Sequence, residues 1–268
     1  MDSSADEPAV PSDEPAVPSD EPAVPVEEAE VSSLTAASVP VVRIAVVTLF
    51  PELFGPFVET SFVGRGQRAG SVALEMVDLR PFGLGKHKSI DDTPYGGGSG
   101  MVMRVDCVVA AIEEAERRLG GRARRLLMTP QGRRLTAAVA GELAHEPRWV
   151  LICGRYEGFD ERVRSFVDDE ISLGDFVLTG AEVAAMAVIE AAIRFVPGVL
   201  GNEHSVAEES FSPELAGGLE YPQFTRPPEY RGLVVPEILK SGDHKKIQKY
   251  RLAESRARTR ARRPDLVS

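Results

Sequence analysis

Four glycine-bearing segments are best suited to binding a ligand, because glycine lets the backbone turn tightly or approach another molecule closely. Three of them lie beside predicted strands or helices: residues 129–133 (TPQGR), 153–162 (CGRYEGFDER) and 171–180 (ISLGDFVLTG). The fourth, residues 95–101 (YGGGSGM), has four glycines in five positions, and a plain flexible loop is an equal alternative there. Open α/β sheets bind ligands at the carboxyl ends of their strands. If they converge, such loops would offer backbone N–H and C=O groups to an adenine edge and cradle a small ligand.

Two common nucleotide-binding patterns do not fit the sequence. Residues 64–69 (GRGQRA) match a dinucleotide fingerprint by their letters, but no clear strand precedes them and they open no clear helix. Around Gly85 and Lys86 the upstream glycine of a P-loop is missing, and His87 stands where serine or threonine is needed. ATP and NAD sites are therefore unsupported.

The residue types and apolar runs also limit which metal sites the protein could hold and where in the cell it could be located. The two cysteines, Cys107 and Cys153, cannot build a disulfide framework or a structural zinc site, and the histidines show no ligand spacing. No apolar run approaches the roughly 20 residues that span a bilayer. The N-terminus lacks the basic and apolar regions of a secretory signal. We therefore expect a cytoplasmic protein with no membrane partner and no tightly held structural metal.

The net charge of −10 arises in the first 40 residues, which carry ten Asp or Glu and no Lys or Arg. A seven-residue repeat, DEPAVPS, begins at Asp6, Asp13 and Asp20, with Val26 replacing the last serine. Its prolines exclude a coiled coil. Because it has few large apolar groups and charge of one sign, it cannot bury enough apolar surface to fold. We expect residues 1–40 to be a disordered acidic tail.

The elements that must position the loops alternate between strand and helix patterns. Four β-branched or apolar runs predict strands, at Val42–Leu49, Val72–Leu79, Arg125–Met128 and Trp149–Cys153. Helical patterns follow at Asp106–Leu119, Leu135–Ala144 and Ala181–Phe195. The alternation is typical of a parallel α/β sheet, and the first strand is predicted to be buried on both faces.

After residue 200 the pattern changes. A polar stretch at 201–209 indicates a linker, and residues 210–268 form a second region. Between Lys240 and Arg263, ten Lys or Arg stand against two acidic residues. Two explanations stay open for this basic segment: a solvated helix face, or a surface for the phosphate backbone of a nucleic acid.

Six motifs in fixed order resemble the bacterial tRNA (guanine-N1)-methyltransferase family over about 44–266. They are TPYGGGSGMVM, TPQGRRL, LICGRYEGFDERV, SLGDFVLTGAE, RFVPGVLGN and FTRPPEYRGLVVPEIL followed by SGDH. The resemblance implies a SPOUT-class α/β domain with a deep trefoil knot at 41–200, the flexible linker at 201–209 and a mainly helical tRNA-binding domain at 210–268. It also implies a homodimer whose active site is shared between subunits. Knots are rare exceptions to topology rules, so periodicity does not predict one.

The family transfers a methyl group from S-adenosylmethionine to N1 of the guanine immediately 3′ of the anticodon in tRNA. Carried over by position, its cofactor residues are Pro130, Gly154, Tyr156, Glu157, Leu173, Gly174, Phe176, Leu178, Gly180 and Ala181. The family often has Ile, Tyr and Gly in place of Leu173, Phe176 and Ala181. Backbone contacts would tolerate Leu and Phe, whereas Ala181 adds a methyl near the methionine moiety. The resemblance further implies Mg²⁺ for activity. Arg155, Arg226 and the basic segment are expected to contact tRNA, because tRNA offers phosphates to Arg and Lys and a flipped base to aromatic or arginine surfaces.

Methylation at guanine N1 needs a base for the N1 proton and a hydrogen-bond donor for the charge that develops toward O6. The resemblance assigns the role of hydrogen-bond donor to Arg194 and the role of base to the aspartate of a Glu-Asp-Ser-Phe motif. This chain has Glu209 at that position, within residues 208–211 (EESF), and Glu208 is the alternative base. The extra methylene would move the carboxylate by roughly 1.5 Å on an unchanged backbone.

Two other functions therefore stay open beside an active methyltransferase. A misplacement of about 1 Å can cost on the order of a hundredfold in rate, so the first is a catalytically weakened protein that binds tRNA and S-adenosylmethionine. The second is another SPOUT RNA methyltransferase. The acidic linker end and the TRPPEYRG segment at 225–232 argue against the second, because they belong to the guanine-N1 branch.

Overall fold

A five-stranded parallel sheet forms the centre of this computed structural model, which describes residues 42–200 and 208–267. The predicted acidic tail and residues 201–207 of the predicted linker lie outside the described residues. Along the described chain the strands are β1 (Val42–Thr48), β2 (Val72–Asp78), β3 (Asp91–Asp92), β4 (Val102–Met103), β5 (Arg124–Arg134), β6 (Arg148–Cys153), β7 (Asp169–Ser172), β8 (Glu229–Tyr230) and β9 (Leu233–Val234).

The parallel sheet has the order β2-β1-β6-β5-β7, and every neighbouring pair in it is parallel. The predicted parallel α/β sheet is therefore confirmed. Strand β5 continues to Arg134, well beyond the predicted end at Met128. The chain pairs with β7 up to Met128, becomes irregular, and pairs with β7 again from Arg133. The two antiparallel pairs, β3–β4 and β8–β9, lie outside this sheet.

The helices of the described residues are α1 (Gly55–Glu59), α2 (Ser61–Arg68), α3 (Val105–Leu119), α4 (Ala137–Ala144), α5 (Glu182–Ile193), α6 (Glu237–Lys240) and α7 (His244–Arg262). The three predicted helices correspond to α3, α4 and α5 with slightly shifted ends. Helix α4 begins later than predicted because Thr136 is its N-cap, and the Thr136 side chain accepts a hydrogen bond from Val139 N at 3.3 Å.

Helix α2 was not predicted, and it contains residues 64–68 of the GRGQRA segment. Gly66 in this helix lies against the side chain of Val199, since a Cβ there would be only 3.1 Å from Val199 Cγ2. The glycine therefore serves close packing between the helix and the chain after α5. It has no nucleotide-binding geometry, because it lies inside the helix rather than at its start.

The core lies on both faces of the sheet, as expected for strands sandwiched between helices. On one face, residues such as Ile44 and Leu151 pack with α4 and α5. On the other face, Ala45 and Ile152 pack with α3. Strand β1 contributes to both clusters, so its predicted burial on two faces is confirmed.

The C-terminal part is mainly helical, as predicted. Helix α7 is its longest element, and the Asp243 side chain caps its N-terminus by accepting a hydrogen bond from Lys246 N at 3.1 Å. Ser255 and Thr259 are buried in α7 and bond to the backbone of Leu219 at 2.6 and 2.9 Å. The domain boundaries and the trefoil knot stay predictions. No helix among the described residues is long and apolar enough to cross a membrane.

Candidate functional site

The three glycine-bearing segments 129–133, 153–162 and 171–180 converge on one cavity of about 450 Å³. It lies where β5 becomes irregular, beyond the ends of β6 and β7, and at the N-terminus of α5. All the residues assigned to the cofactor line it: Pro130, Gly154, Tyr156, Glu157, Leu173, Gly174, Phe176, Leu178, Gly180 and Ala181. The structure thus brings these residues together, and their binding of a cofactor stays a prediction.

Glycines shape the cavity by letting neighbouring rings approach the backbone. A Cβ at Gly154 would lie 2.6 Å from Phe159 Cε2, and one at Gly174 would lie 3.0 Å from Phe176 Cε1. Larger residues at 154 and 174 would therefore displace these rings. Phe159 also lines the cavity and was not predicted as a site residue. Its place within the CGRYEGFDER motif was the only signal for it.

The Gly-rich segment 95–101 reaches the rim of the cavity through Glu157. The Glu157 N–H donates to the carbonyl of Met101 at 3.0 Å, and Gly100 adopts a left-handed φ of +81°. A Cβ at Gly100 would lie 2.5 Å from Glu157 Cγ. The glycine is thus needed for this close approach, while Tyr95 at the start of the segment is fully exposed.

The mouth of the cavity carries exposed apolar side chains. Tyr156 stands in a left-handed conformation, with φ of +59°, which is unusual for a residue with a side chain. Exposed apolar neighbours in the same segments are Phe176, Val177 and Leu178, and Val183 follows at the start of α5. Several large apolar side chains exposed in neighbouring segments are typical of a surface that another molecule covers.

The two predicted catalytic residues form an ion pair at the other end of α5. Arg194 follows the last residue of α5, and its Nη2 donates to Glu209 Oε2. The neighbouring carboxylate of Glu208 instead accepts a hydrogen bond from the Tyr221 hydroxyl at 2.9 Å. Burial raises the pKa of the Tyr221 phenol, and its hydrogen bond to Glu208 adds to that rise. Of the two candidate bases, Glu209 is thus the one beside Arg194.

The cavity and the Arg194–Glu209 pair of one chain do not coincide. The cavity lies at the N-terminus of α5 and the pair at its C-terminus. At ~1.5 Å per residue, a helix from Glu182 to Ile193 spans about 18 Å. Of the described residues that line the cavity, none belongs to this pair. Composition and periodicity did not indicate this separation, although the family resemblance implies an active site shared between subunits.

The basic segment forms one exposed, mostly unneutralised surface. Most of it lies on α7, where Lys246 pairs with Asp243 at 3.0 Å. Among the described residues, no carboxylate pairs with a further set of exposed cations on α7, which are Lys245, Lys249, Arg256, Arg260 and Arg262. Exposed cations on one helix that no carboxylate pairs with are typical of a surface that binds an anionic partner. They are not typical of a helix surface whose opposite charges neutralise each other.

The described residues do not provide an evident metal site. Within 42–200 and 208–267, no group of three or more His, Cys, Asp or Glu side chains is arranged to hold a metal ion. The residues present therefore do not identify a place for the Mg²⁺ that the family resemblance implies.

Comparisons with known proteins all match this chain to one enzyme family. The family model described as tRNA (Guanine-1)-methyltransferase TrmD matches residues 42–268. A tRNA (guanine-N(1)-)-methyltransferase of Sorangium cellulosum is 54% identical over 244 residues, covering 84% of this chain and 92% of the relative. The enzyme of the same name from Thermus thermophilus is 50% identical over 226 residues, with 84% and 92% coverage. That from Anaeromyxobacter sp. strain K is 50% identical over 226 residues, with 84% and 91% coverage.

Proposed function

Because this chain belongs to the tRNA (guanine-1)-methyltransferase family, we propose that it methylates N1 of the guanine immediately 3′ of the anticodon in tRNA, with S-adenosylmethionine as methyl donor. It is an S-adenosylmethionine-dependent tRNA (guanine-N1)-methyltransferase. The observation that carries the finer proposal is the Arg194–Glu209 pair, which sets a hydrogen-bond donor beside an acceptor.

The cavity at the N-terminus of α5 is the proposed site of the methyl donor. Its volume of about 450 Å³ falls in the range of small-ligand pockets, roughly 300 to 1,000 Å³. The backbone groups of 154–157 and 173–181 would hold the ligand, and Pro130 would close one side. When bound, S-adenosylmethionine supplies an electrophilic methyl group carried on a positively charged sulfur.

The Arg194–Glu209 pair matches the edge of guanine that reacts. This edge offers O6 as an acceptor beside N1–H as a donor. The guanidinium of Arg194 has five N–H donors, so it can hydrogen-bond to O6 while it holds the carboxylate of Glu209. Glu209 would then accept the N1 proton, and Arg194 would stabilise the negative charge that develops on O6.

Glutamate in place of the family's aspartate is compatible with this role. The Glu209 carboxylate contacts the same arginine that the family resemblance assigns to catalysis. Its longer side chain therefore has a defined partner rather than pointing freely into solvent. This contact favours an active enzyme over the weakened protein that only binds tRNA and S-adenosylmethionine.

A shared active site in a homodimer would bring the cavity and the catalytic pair together. Within one chain they lie at opposite ends of α5, a helix about 18 Å long. The N1 atom must approach the methyl group while touching the base, and this separation within one chain supports a site completed by a second subunit. The exposed apolar residues around the cavity mouth, from Phe176 to Val183, would be covered by the partner.

In this proposal, the basic helix α7 binds the tRNA. The exposed cations of α7 would contact its phosphates, and the target guanine would turn out of its stack to reach the pair. We place the enzyme in the cytoplasm, where its tRNA substrate is found. Mg²⁺ stays a prediction of the family resemblance, and no step is assigned to it because the described residues do not identify ligands for it.

Subunit mixing tests the shared site. One variant, Glu209→Ala, keeps the cavity and loses the base, while a second, Gly174→Val, keeps the base and blocks the cavity. Each variant alone is expected to be inactive. Unfolded and refolded together, they should regain N1-methylguanosine formation, because a mixed dimer holds one intact cavity facing one intact base. A mixture that stays inactive, although mixed dimers form, would show that cavity and base act within one chain.

A further inference from the structure

Glu182 is a charged residue in the core that no step above uses. It lies in the first turn of α5, and only 1% of its side chain is exposed. Burying a carboxylate is unfavourable unless charged and hydrogen-bonding partners surround it. Glu182 Oε1 accepts hydrogen bonds from Thr48 Oγ1 at 2.9 Å and from Arg155 Nε at 3.2 Å. The carboxylate is thus held from the end of β1 and from the loop after β6.

The second carboxylate oxygen depends on the charge of Arg155. Arg155 Nη2 lies 2.8 Å from Glu182 Oε2, an ion pair by distance whose alignment does not make a hydrogen bond. Among the described residues no other donor bonds to Oε2. Loss of the arginine would therefore leave a buried, uncompensated negative charge.

The guanidinium of Arg155 fits its place only because residue 180 is glycine. A Cβ at Gly180 would lie 2.2 Å from Arg155 Nε. On the same group, Nη1 donates to the carbonyl of Thr179 at 3.4 Å, and Cζ lies 4.4 Å from the centroid of the Phe50 ring. The guanidinium therefore packs against the backbone of the loop that precedes α5.

These contacts join two of the three loops that line the cavity. Arg155 belongs to the loop after β6, whereas Thr179 and Gly180 belong to the loop before α5. A backbone hydrogen bond from Ala181 N to the carbonyl of Gly154, at 3.1 Å, runs beside the ion pair. The relative placement of these two loops is thus supported by the Ala181–Gly154 backbone bond, the Arg155–Thr179 hydrogen bond and the buried charge pair.

We propose that Arg155 and Glu182 are positioning residues that hold the two cavity loops in the arrangement required to bind the methyl donor. The inference rests on the proposed function, since it assigns the cavity to S-adenosylmethionine. It also replaces the expectation that Arg155 contacts tRNA. The Arg155 side chain is only 23% exposed and its guanidinium is occupied by Glu182, Thr179 and Phe50.

The test measures the affinity of the variants for S-adenosylhomocysteine and, separately, for tRNA. Arg155→Met and Glu182→Gln each remove one charge and preserve the approximate size of the side chain. The dissociation constant for S-adenosylhomocysteine should rise at least tenfold in each, while that for tRNA stays within twofold of wild type. The double variant should show less than the product of the two single effects, because both residues act as one unit.

Two further variants keep the test decisive. Thr48→Val leaves both charges in place, so it should fold and raise the same dissociation constant by a smaller factor, about twofold to fivefold. Arg117→Met breaks an exposed ion pair with Glu114 on α3 and serves as the matched control with unchanged affinity. Melting temperatures of all variants are measured alongside, so that binding is compared only below each transition.

Three outcomes would overturn the inference. Weaker tRNA binding by Arg155→Met, with unchanged S-adenosylhomocysteine binding, would return Arg155 to the tRNA interface. A lowered melting temperature with unchanged affinity for both ligands would leave the pair a purely structural role. A wild-type protein that binds tRNA but no S-adenosylhomocysteine would overturn the proposed function itself, and this inference with it.

Discussion

The Arg194 guanidinium donates to the carboxylate of Glu209, fifteen residues further along the chain. This contact joins the end of a core helix to Glu209, the last residue of the predicted linker. It also distinguishes two adjacent acids, because the carboxylate of Glu208 is bonded to Tyr221 instead. The predictions about catalysis follow from this difference.

Glu209→Ala should lower the single-turnover methylation rate by about 10²–10⁴, the usual loss when a general base is removed. The affinity for S-adenosylhomocysteine should stay unchanged, since Glu209 does not line the cavity. Glu208→Gln is the matched control, expected within a few-fold of wild type. The reverse order of the two rates would make Glu208 the base.

Arg194→Met should lower the same rate by about 10²–10³, because a donor aimed at developing charge is removed. Arg194→Lys keeps the charge without the planar set of donors, so it should recover only part of the rate. Rates are compared at saturating tRNA and S-adenosylmethionine. An Arg194→Met enzyme with normal maximal rate and weaker tRNA binding would show that Arg194 only binds substrate.

The exposed cations of α7 should control the salt dependence of tRNA binding. Each of Lys249→Ala, Arg256→Ala and Arg260→Ala is expected to reduce the slope of log affinity against log salt by about one at most. Filter binding at several salt concentrations provides the measurement. Arg117→Met on α3 is the control, and equal slopes for all variants would leave α7 as a solvated helix face.

Glu116 should stabilise the fold in a pH-dependent way. Burial opposes its ionisation, but hydrogen bonds from Arg125, Ala123 N and Arg122 outweigh burial and lower its pKa from 4.5 to about 2. Because the folded pKa is the lower one, the stabilisation is complete above pH 4.5 and is lost as the pH falls toward 2. Glu116→Gln should lose about 2–3 kcal/mol of unfolding free energy at pH 7.

Urea unfolding of Glu116→Gln at pH 7 and pH 3 provides this measurement. The difference from wild type should shrink at pH 3, where the wild-type advantage is already reduced. Glu114→Gln is the control, because its ion pairs with Arg117 and Arg118 are more exposed and should contribute less. A pH-independent loss in Glu116→Gln would mean that packing, rather than charge, makes residue 116 important.

Four of the five strands of the sheet could be predicted because each contains an apolar run, as in Val42–Thr48, of the kind that strands buried on both faces require. Strand β7 (DEIS) has no such run and was not predicted. Helix α2 could not, since it is polar and contains two glycines that disfavour helix formation. Its stability comes from tertiary contacts such as that between Gly66 and Val199. Sequence periodicity does not encode contacts of this kind.

The cavity residues could be predicted because they fall within contiguous motifs at strand ends. The contacts that support the cavity loops could not be predicted, because they join positions far apart in the sequence. Thr48 and Glu182, for example, are 134 residues apart. The same limit applies to the catalytic pair. Motif order gave Arg194 and Glu209 as partners in chemistry, but only the three-dimensional structure places them a helix length from the cavity of the same chain.

Single-turnover methylation tests the central claim most directly. The substrate is a tRNA transcript with guanine at the 3′ edge of the anticodon and at the next position, and product nucleosides are identified by mass spectrometry. The account predicts N1-methylguanosine at the position 3′ of the anticodon from the wild-type enzyme, and at least a hundredfold slower formation by Glu209→Ala. A wild-type protein that binds both substrates without forming N1-methylguanosine, or a Glu209→Ala variant as fast as wild type, would contradict it.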